Sequence, residues 1–422
     1  MELKTKQLKG MTLALLMLIA AMAGCLGTED DTEESESTAD DKPAFLDASD
    51  AGYTYASDVD NHRSLMQDLC DIKTAASENN WDEAKNIYQN GKNAQKDDGS
   101  YRTLAGFAGA ADKKHNYDAF YGEDGAIGNH IMAAMDGTGD FAGVSDTVRY
   151  QGIAKLTANM GMIGYTIHEL NAALAKAGDN NLDNDSGAPH NWDEGWAFFH
   201  GPDEHYSCSP AKVMEKRAGD FGTADADGVA ATFKATEKAM VDGLAALQAG
   251  DQAGYEAATN EVFKNVIITY SQATIKYTYK MDNNESGAKY QAEGYAFWKA
   301  MEAYAAPYTD GCYNTQVHKV MIMGDINASA CDSFMWTQHN GEGDFMCYNT
   351  VTHQVSTDVT TEGECDGYSN ATFMDMYGAE KINEILNLQD ATQLGTSYDI
   401  APHLERVWYH YGITSDDIGS MA

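Results

Sequence analysis

Two short motifs would place possible metal ligands on one face of a helix. They are Tyr165-x-x-His168-Glu169 and His190-x-x-Asp193-Glu194. Both follow the spacing i, i+3, i+4, which brings three side chains to the same helical face. Oxygen and imidazole groups suit a hard or borderline metal ion, and they also serve acid–base chemistry. Either motif alone is more often a solvated polar face than a functional site.

The residues around the motifs favour a joint site. Met162 and Ile163 flank the first motif, and Trp192, Trp196 and Phe198 surround the second. A charged group among such apolar side chains must be paired, protonated or bound to a metal. The sequence therefore predicts that the ligand-type side chains of both motifs converge.

Three further residues could complete a site. His130 follows Gly128 and Asn129, and His62 lies one helical turn after Asp58. For Asp58 we favour a helix N-cap and for His62 a partly exposed helical residue. Arg149 could bind a carbonate or carboxylate beside a metal with its planar fork, and it could equally form a surface ion pair.

The N-terminus predicts export. Lys4, Lys6 and Lys9 precede an apolar run over residues 11–23, and small residues lead to Cys25. This pattern resembles a lipoprotein signal in which Cys25 becomes the lipidated first residue, with an uncleaved anchor as the alternative. We expect an exported protein, lipid-anchored at the outer face of the cell membrane.

The chain is strongly acidic, with a formal net charge of −37. Such a charge repels nucleic acid, whose binding needs clustered Lys and Arg, so we expect no nucleic-acid partner. It also concentrates cations near any cleft. Residues 28–42 are acidic and lack large apolar side chains, which predicts a disordered tether.

The cysteines agree with export. Six remain after Cys25, an even number that suggests three disulfides. We expect the last four to pair among themselves, which leaves Cys70 and Cys208 as a long-range pair. The six cysteines are Cys70, Cys208, Cys312, Cys331, Cys347 and Cys365.

Apolar periodicity predicts a mainly α fold of two related helical repeat units with a small disulfide-rich C-terminal subdomain. The repeat is visible where residues 193–199 (DEGWAFF) match residues 292–298 (AEGYAFW). On this alignment Glu194 corresponds to Glu293, whereas His168 and Glu169 correspond to Ser271 and Gln272. The predicted segments are the signal peptide (1–24), the tether (25–49), unit one with an insertion (50–225), unit two (226–310) and a cysteine-rich region with C-terminal helices (311–422). Helices are predicted over 58–76, 80–94, 148–177, 190–200, 227–248, 253–280, 289–305 and 373–389, and β-structure within 317–323 and 351–359.

Four motifs in order resemble the low-iron-inducible periplasmic proteins of algae, the phytotransferrin family. They are residues 58–62 (DVDNH), 128–134 (GNHIMAA), 167–170 (IHEL) and 191–198 (NWDEGWAF). The resemblance implies a protein that captures ferric iron, with carbonate as a synergistic anion, for delivery to uptake machinery. Spacing and chemistry in this chain, rather than a family ligand list, assign the metal ligands to His130, Tyr165, His168, Glu169, His190, Asp193 and Glu194.

Other classes of function compete with cation capture. A metallopeptidase would need a second histidine four residues after His168, where Ala172 stands. A metal-dependent hydrolase-like protein and a structural or adhesive surface lipoprotein stay as alternatives. We expect a metal-binding protein that is not an enzyme, feeding Fe³⁺ to an uptake transporter.

Overall fold

Residues 49–308 are built mainly from helices. The structure, a computed structural model, describes residues 49–322, 331–338, 345–356, 359–368 and 372–421. A hairpin of β1 (Ser49–Asp50) and β2 (Tyr53–Thr54) comes first. The helices that follow are α1 (Asp60–Arg63), α2 (Leu65–Ser77), α3 (Trp81–Asn90), α4 (Leu104–Ala108), α5 (Tyr117–Tyr121), α6 (Ala126–Asp136), α7 (Asp146–Lys155), α8 (Met162–Gly178), α9 (Ala188–Phe199), α10 (Ala211–Phe221), α11 (Ala231–Ala249), α12 (Gln252–Tyr279) and α13 (Gly287–Ala305).

Local side chains determine where several of these helices begin and end. The side chains of Asn80, Ser145 and Asp251 accept hydrogen bonds from first-turn amides and so begin α3, α7 and α12. Gly222 and Gly250, at φ 69° and 68°, end α10 and α11 in the left-handed conformation.

The predicted helices are confirmed, with differences at their ends. The helix expected over 58–76 is divided at Ser64 into α1 and α2, and the one expected over 148–177 contains a π-helical turn at Leu156–Gly161. The short helices of the insertion and helix α10 were not predicted, because their apolar pattern spans too few turns to stand out.

The two repeat units share one arrangement. In each, a long helix (α8 or α12) is followed by a polar loop and by a helix whose side chains are almost all buried (α9 or α13). Trp192, Trp196 and Trp298 of the two buried helices are fully enclosed. The indole of Trp192 donates to the carbonyl of Met240 at 2.8 Å and so joins α9 to α11.

The C-terminal region contains two small antiparallel sheets and further helices. One sheet has the order β4 (Lys319–Ile322), β3 (Gly311–Asn314), β8 (Thr372–Met374), and the other β5 (Phe334–Gln338), β6 (Phe345–Asn349), β7 (Val355–Ser356). Its helices are α14 (Glu362–Cys365), α15 (Tyr377–Ile385), α16 (Ala401–His410) and α17 (Ser415–Ile418).

Three disulfides confirm the predicted grouping of the cysteines. Cys70 pairs with Cys208 across 138 residues, and the last four pair as Cys312–Cys331 and Cys347–Cys365. The signal, the tether and Cys25 lie outside the described residues. Within the described residues, no helix combines the length and apolarity that crossing a membrane would need.

Candidate metal centre

The centre of the site is the carboxylate of Glu194 on α9. Its Oε1 lies 3.1 Å from Nε2 of His62 and 3.2 Å from Nε2 of His190. All three side chains are largely buried, and His190 is the most exposed, at 23 %. Ligand atoms about 2.0–2.2 Å from a metal lie about 3 Å apart along the edges of its coordination polyhedron. Each of the two nitrogen–oxygen distances therefore has the length of such an edge.

His62 reaches this place from α1, over 100 residues earlier in the chain. The neighbouring Arg63 donates to both carboxylate oxygens of Asp50, at 2.8 and 2.9 Å, and so fixes α1 against the β1–β2 hairpin. Burial lowers the pKa of His62 to about 3, although the charge of Glu194 opposes the shift. Our interpretation of His62 as a partly exposed residue is therefore wrong, since the residue is 4 % exposed.

Glu169 of α8 adds a second carboxyl group. Burial raises its pKa well above the usual value, and the neighbouring charge of Glu194 raises it further. Burial also acts on Glu194, but the contacts with His62 and His190 outweigh it and lower its pKa. Glu169 therefore holds a proton that it donates to the Glu194 carboxylate. The amide nitrogen of Asn191 donates to Glu169 Oε2 at 2.6 Å and to Glu194 Oε2 at 3.3 Å.

Asp193 positions His190 instead of binding a metal. It is fully buried, and its carboxylate accepts hydrogen bonds from the Tyr53 hydroxyl at 2.6 Å, the Ala56 amide at 2.9 Å and the Ser57 amide at 2.8 Å. The Ser57 hydroxyl also donates to it, at 2.7 Å. This hydroxyl lies 2.9 Å from Nδ1 of His190. Because its only proton goes to Asp193, it accepts the Nδ1 proton of His190, and Nε2 of that ring faces Glu194. Burial acts to lower the pKa of His190, but the hydrogen bond and charge of Glu194 outweigh it and raise the pKa, so Nε2 carries the proton that a metal ion would replace.

His168 lies beside the cluster in the wrong tautomer for binding through Nε2. Its Nδ1 accepts a hydrogen bond from the amide of Lys114 at 2.8 Å, so the ring proton of the neutral form is on Nε2. That nitrogen lies 3.9 Å from Glu169 Oε1. Burial lowers the pKa of His168 to about 3. The side chain therefore faces Glu169 as a donor.

Tyr165 does not offer a phenolate. Its hydroxyl donates to the carbonyl of Phe107, and burial raises its pKa far above the usual value. Its ring packs against Phe107 and Phe198, at centroid distances of 4.2 and 5.5 Å. We therefore assign Tyr165 to the wall of the site.

His130 and Arg149 lie elsewhere. His130 bonds through Nδ1 to the Ala126 carbonyl at 2.8 Å and packs on Tyr121. The guanidinium of Arg149 donates to the carbonyls of Ala134 and Met135 at the end of α6. It stabilises a helix C-terminus there, so the structure does not support its assignment as an anion ligand beside the metal.

The residues present fit a metal ion in their donor types, with two imidazoles and two carboxyl groups. Two buried atoms next to these donors, Nδ1 of His62 and Oδ1 of Asn191, have no hydrogen-bond partner among the described residues. In that same part of the chain, no three His, Cys, Asp or Glu side chains are already arranged around a common ion position. The imidazoles instead bond to the Glu194 carboxylate, so an ion would replace protons at these donors.

The sequence prediction named His62 as a residue that could complete the site but favoured a partly exposed helical residue, and it missed Ser57 and Asn191. Asn191 stands inside the second motif, one residue after His190, and Ser57 precedes the DVDNH motif that contains His62. Those two motifs carried the only signal, because no helical spacing relates His62 or Ser57 to the residues of α9.

Comparison with protein families identifies the family to which the chain belongs. The model of the low iron-inducible periplasmic protein family matches residues 37–316. The chain belongs to this family. Its description names low-iron induction and a periplasmic location, which gives the chain an iron-related role and agrees with the predicted export. The matched range contains every residue of the cluster around Glu194, which consists of His62, Glu169, His190 and Glu194 and is called the Glu194 cluster below. No curated protein and no solved structure matches the chain.

Proposed function

We propose that this protein captures an iron ion at the cluster of His62, Glu169, His190 and Glu194 and holds it for uptake by the cell. The observation that supports the proposal is the approach of two imidazole nitrogens to one oxygen of Glu194, at 3.1 and 3.2 Å. Membership in a low iron-inducible family supports iron as the metal that is bound.

The chemistry of the donors suits ferric iron as cargo. Carboxylate oxygen is a hard ligand, and imidazole binds iron as well. Iron would displace the proton between Glu169 and Glu194, which turns a neutral acid and a carboxylate into two anionic ligands. The net charge of −37 attracts cations toward the site. We propose cargo binding without catalysis.

The position of the protein in the cell is part of the proposal. A lipid on Cys25 would hold the mature chain at the outer face of the membrane, and the acidic residues 28–42 would act as a tether. A body held there would take iron from outside and pass it to a membrane transporter.

Competition with an iron(III) citrate chelate would test the proposal. Wild type should bind one iron ion, and Glu194→Gln and His190→Ala should each weaken binding by at least about tenfold, since even outer-shell changes cost about 10–100-fold. Glu293→Gln, at the corresponding position of the second unit, is the matched control and should bind like wild type. Equal affinity in all four proteins would contradict the site.

A second series of the same titration tests the role of bicarbonate. Repeating it with and without bicarbonate would show whether capture depends on the anion. Arg149→Gln should leave either result unchanged, because this guanidinium is already bonded to the end of α6.

A further inference from the structure

Four basic side chains converge between α2, α7 and α10 in a chain whose net charge is −37. Burial lowers the pKa of Lys155 to about 8, and the charges of Lys216, Lys73 and Arg217 lower it further, against the opposing charge of Glu293. The pKa of Lys216 is lowered too, first by burial and then by Lys73 and other bases. The four side chains are therefore close enough to repel one another. Such crowding costs free energy unless an anion lies between them.

Arg217 is the buried member of this basic cluster. It is 4 % exposed, and its Nε and Nη1 have no hydrogen-bond partner among the described residues. Its Nη2 lies 2.9 Å from Asp220, which also pairs with Lys276 at 2.6 Å. A buried guanidinium with open N–H groups is costly, so these donors point to an absent acceptor.

The lysines of the cluster also lack anionic partners. Within the described part of the chain, Lys73, Lys155 and Lys216 make no ion pair at 4.0 Å or less. The ammonium of Lys155 lies 5.8 Å from the centroid of the Phe297 ring, and Arg217 lies 5.9 Å from the same ring. Lys216 is exposed and Lys73 half-buried, so an ion could enter from solvent on their side.

We infer that Lys73, Lys155, Lys216 and Arg217 form a binding site for a small dianionic oxyanion such as inorganic phosphate. Bases exceed the nearby acids Asp220, Glu215 and Glu293, so a dianion would reduce the repulsion. An oxyanion would also supply acceptors for Nε and Nη1 of Arg217. All four bases lie within residues 50–225 of the first unit, and Glu293 and Phe297 on α13 of the second unit lie beside them. None of these residues belongs to the Glu194 cluster.

Isothermal titration of the full exported chain with inorganic phosphate, in chloride buffer near neutral pH, would test the inference. We expect one saturable site, at least tenfold weaker binding in Arg217→Gln, and tighter binding in Glu293→Gln, since this change removes a negative charge facing the cluster. Lys238→Gln is the control, because the Lys238 side chain is 74 % exposed and pairs with Asp242, and it should bind like wild type. Sulfate should compete with phosphate.

Absence of saturable phosphate binding in wild type would overturn the inference, as would equal binding by folded Arg217→Gln. If Arg217→Gln does not fold, Lys155→Gln takes its place, and unchanged affinity there has the same meaning. Iron titration of the same variants keeps the two proposals apart, because none of these substitutions touches the Glu194 cluster.

Discussion

Ser57→Ala is the sharpest test of how the iron site is organised. The Ser57 hydroxyl links Asp193, at 2.7 Å, to Nδ1 of His190, at 2.9 Å. Without it, the Nδ1–H group of His190 has no acceptor, so the ring is no longer held with Nδ1 protonated and with Nε2 directed at the proposed metal position. Asp193 keeps its three other donors, at 2.6 to 2.9 Å, so the loop containing Ser57 should stay in place.

The size of the expected effect follows from the two hydrogen bonds of the Ser57 hydroxyl. Removal of a hydrogen bond that orients a metal-binding histidine weakens metal affinity by about 10–100-fold, which equals about 1.4–2.8 kcal/mol. The free energy of unfolding should fall by about 1.5–3 kcal/mol, since the bond to Asp193 has a charged acceptor. The protein should therefore fold, and bind iron more weakly.

Two measurements and one control distinguish a changed orientation of the His190 ring from a general loss of stability. Nitrogen-15 NMR of the metal-free protein should show Nδ1 of His190 protonated in wild type and less protonated in Ser57→Ala. Chelate competition gives the affinity. Ser209→Ala removes another buried hydroxyl, bonded to a carbonyl at 2.9 Å, and should lose stability without losing affinity. Iron affinity in Ser57→Ala within twofold of wild type would refute the reasoning, as would equal losses in the two variants.

Three further outcomes are expected. The pKa of His168 is lowered to about 3, first by burial, so as the pH falls below about 6.5 the unfolded chain binds a proton that the folded chain does not. The free energy of unfolding should therefore drop by up to about 1.4 kcal/mol per pH unit because of this group. Urea titrations at several pH values should show a smaller loss of stability at acidic pH in His168→Gln than in wild type. Removing the Cys70–Cys208 disulfide, which closes 138 residues, should cost about 2–5 kcal/mol of stability and leave iron affinity unchanged by chelate competition. Gly243→Ala would place a Cβ 2.1 Å from a buried tryptophan of α9 and should lower thermal stability by about 1–3 kcal/mol, whereas Gly219→Ala in α10, with no atom within 4 Å, should raise it by up to about 1 kcal/mol.

Local patterns predicted the long helices, the disulfide grouping and three members of the Glu194 cluster: Glu169, His190 and Glu194. Helical spacing relates residues on one helix, and those three stand on two neighbouring helices. His62 comes from a four-residue helix held by the Arg63–Asp50 contact, and only tertiary packing brings it to α9. Spacing also cannot tell which nitrogen of an imidazole is directed at the metal position. This distinction separates His190, whose Nδ1 donates to Ser57, from His168, whose Nδ1 accepts from the amide of Lys114.

The difference between the two units follows from what packs against them. His168 and Glu169 of α8 correspond to Ser271 and Gln272 of α12. Ser271 accepts a hydrogen bond from the Trp408 indole at 3.0 Å, and Gln272 donates to the carbonyl of Ile418 at 2.8 Å. In unit two these positions therefore fix the C-terminal helices α16 and α17.

Glu194 and its counterpart Glu293 differ in the same way. Glu194 faces two imidazoles and a second carboxyl group, whereas the charge of Glu293 acts on Lys155 of the proposed anion site. A buried carboxylate that accepts protons from imidazole rings can exchange those protons for a metal ion, whereas one beside lysine and arginine side chains is already balanced by their charge. The two related glutamates can thus serve a cation site and an anion site on one helical scaffold, which gives a physical reason why unit two lacks the histidines.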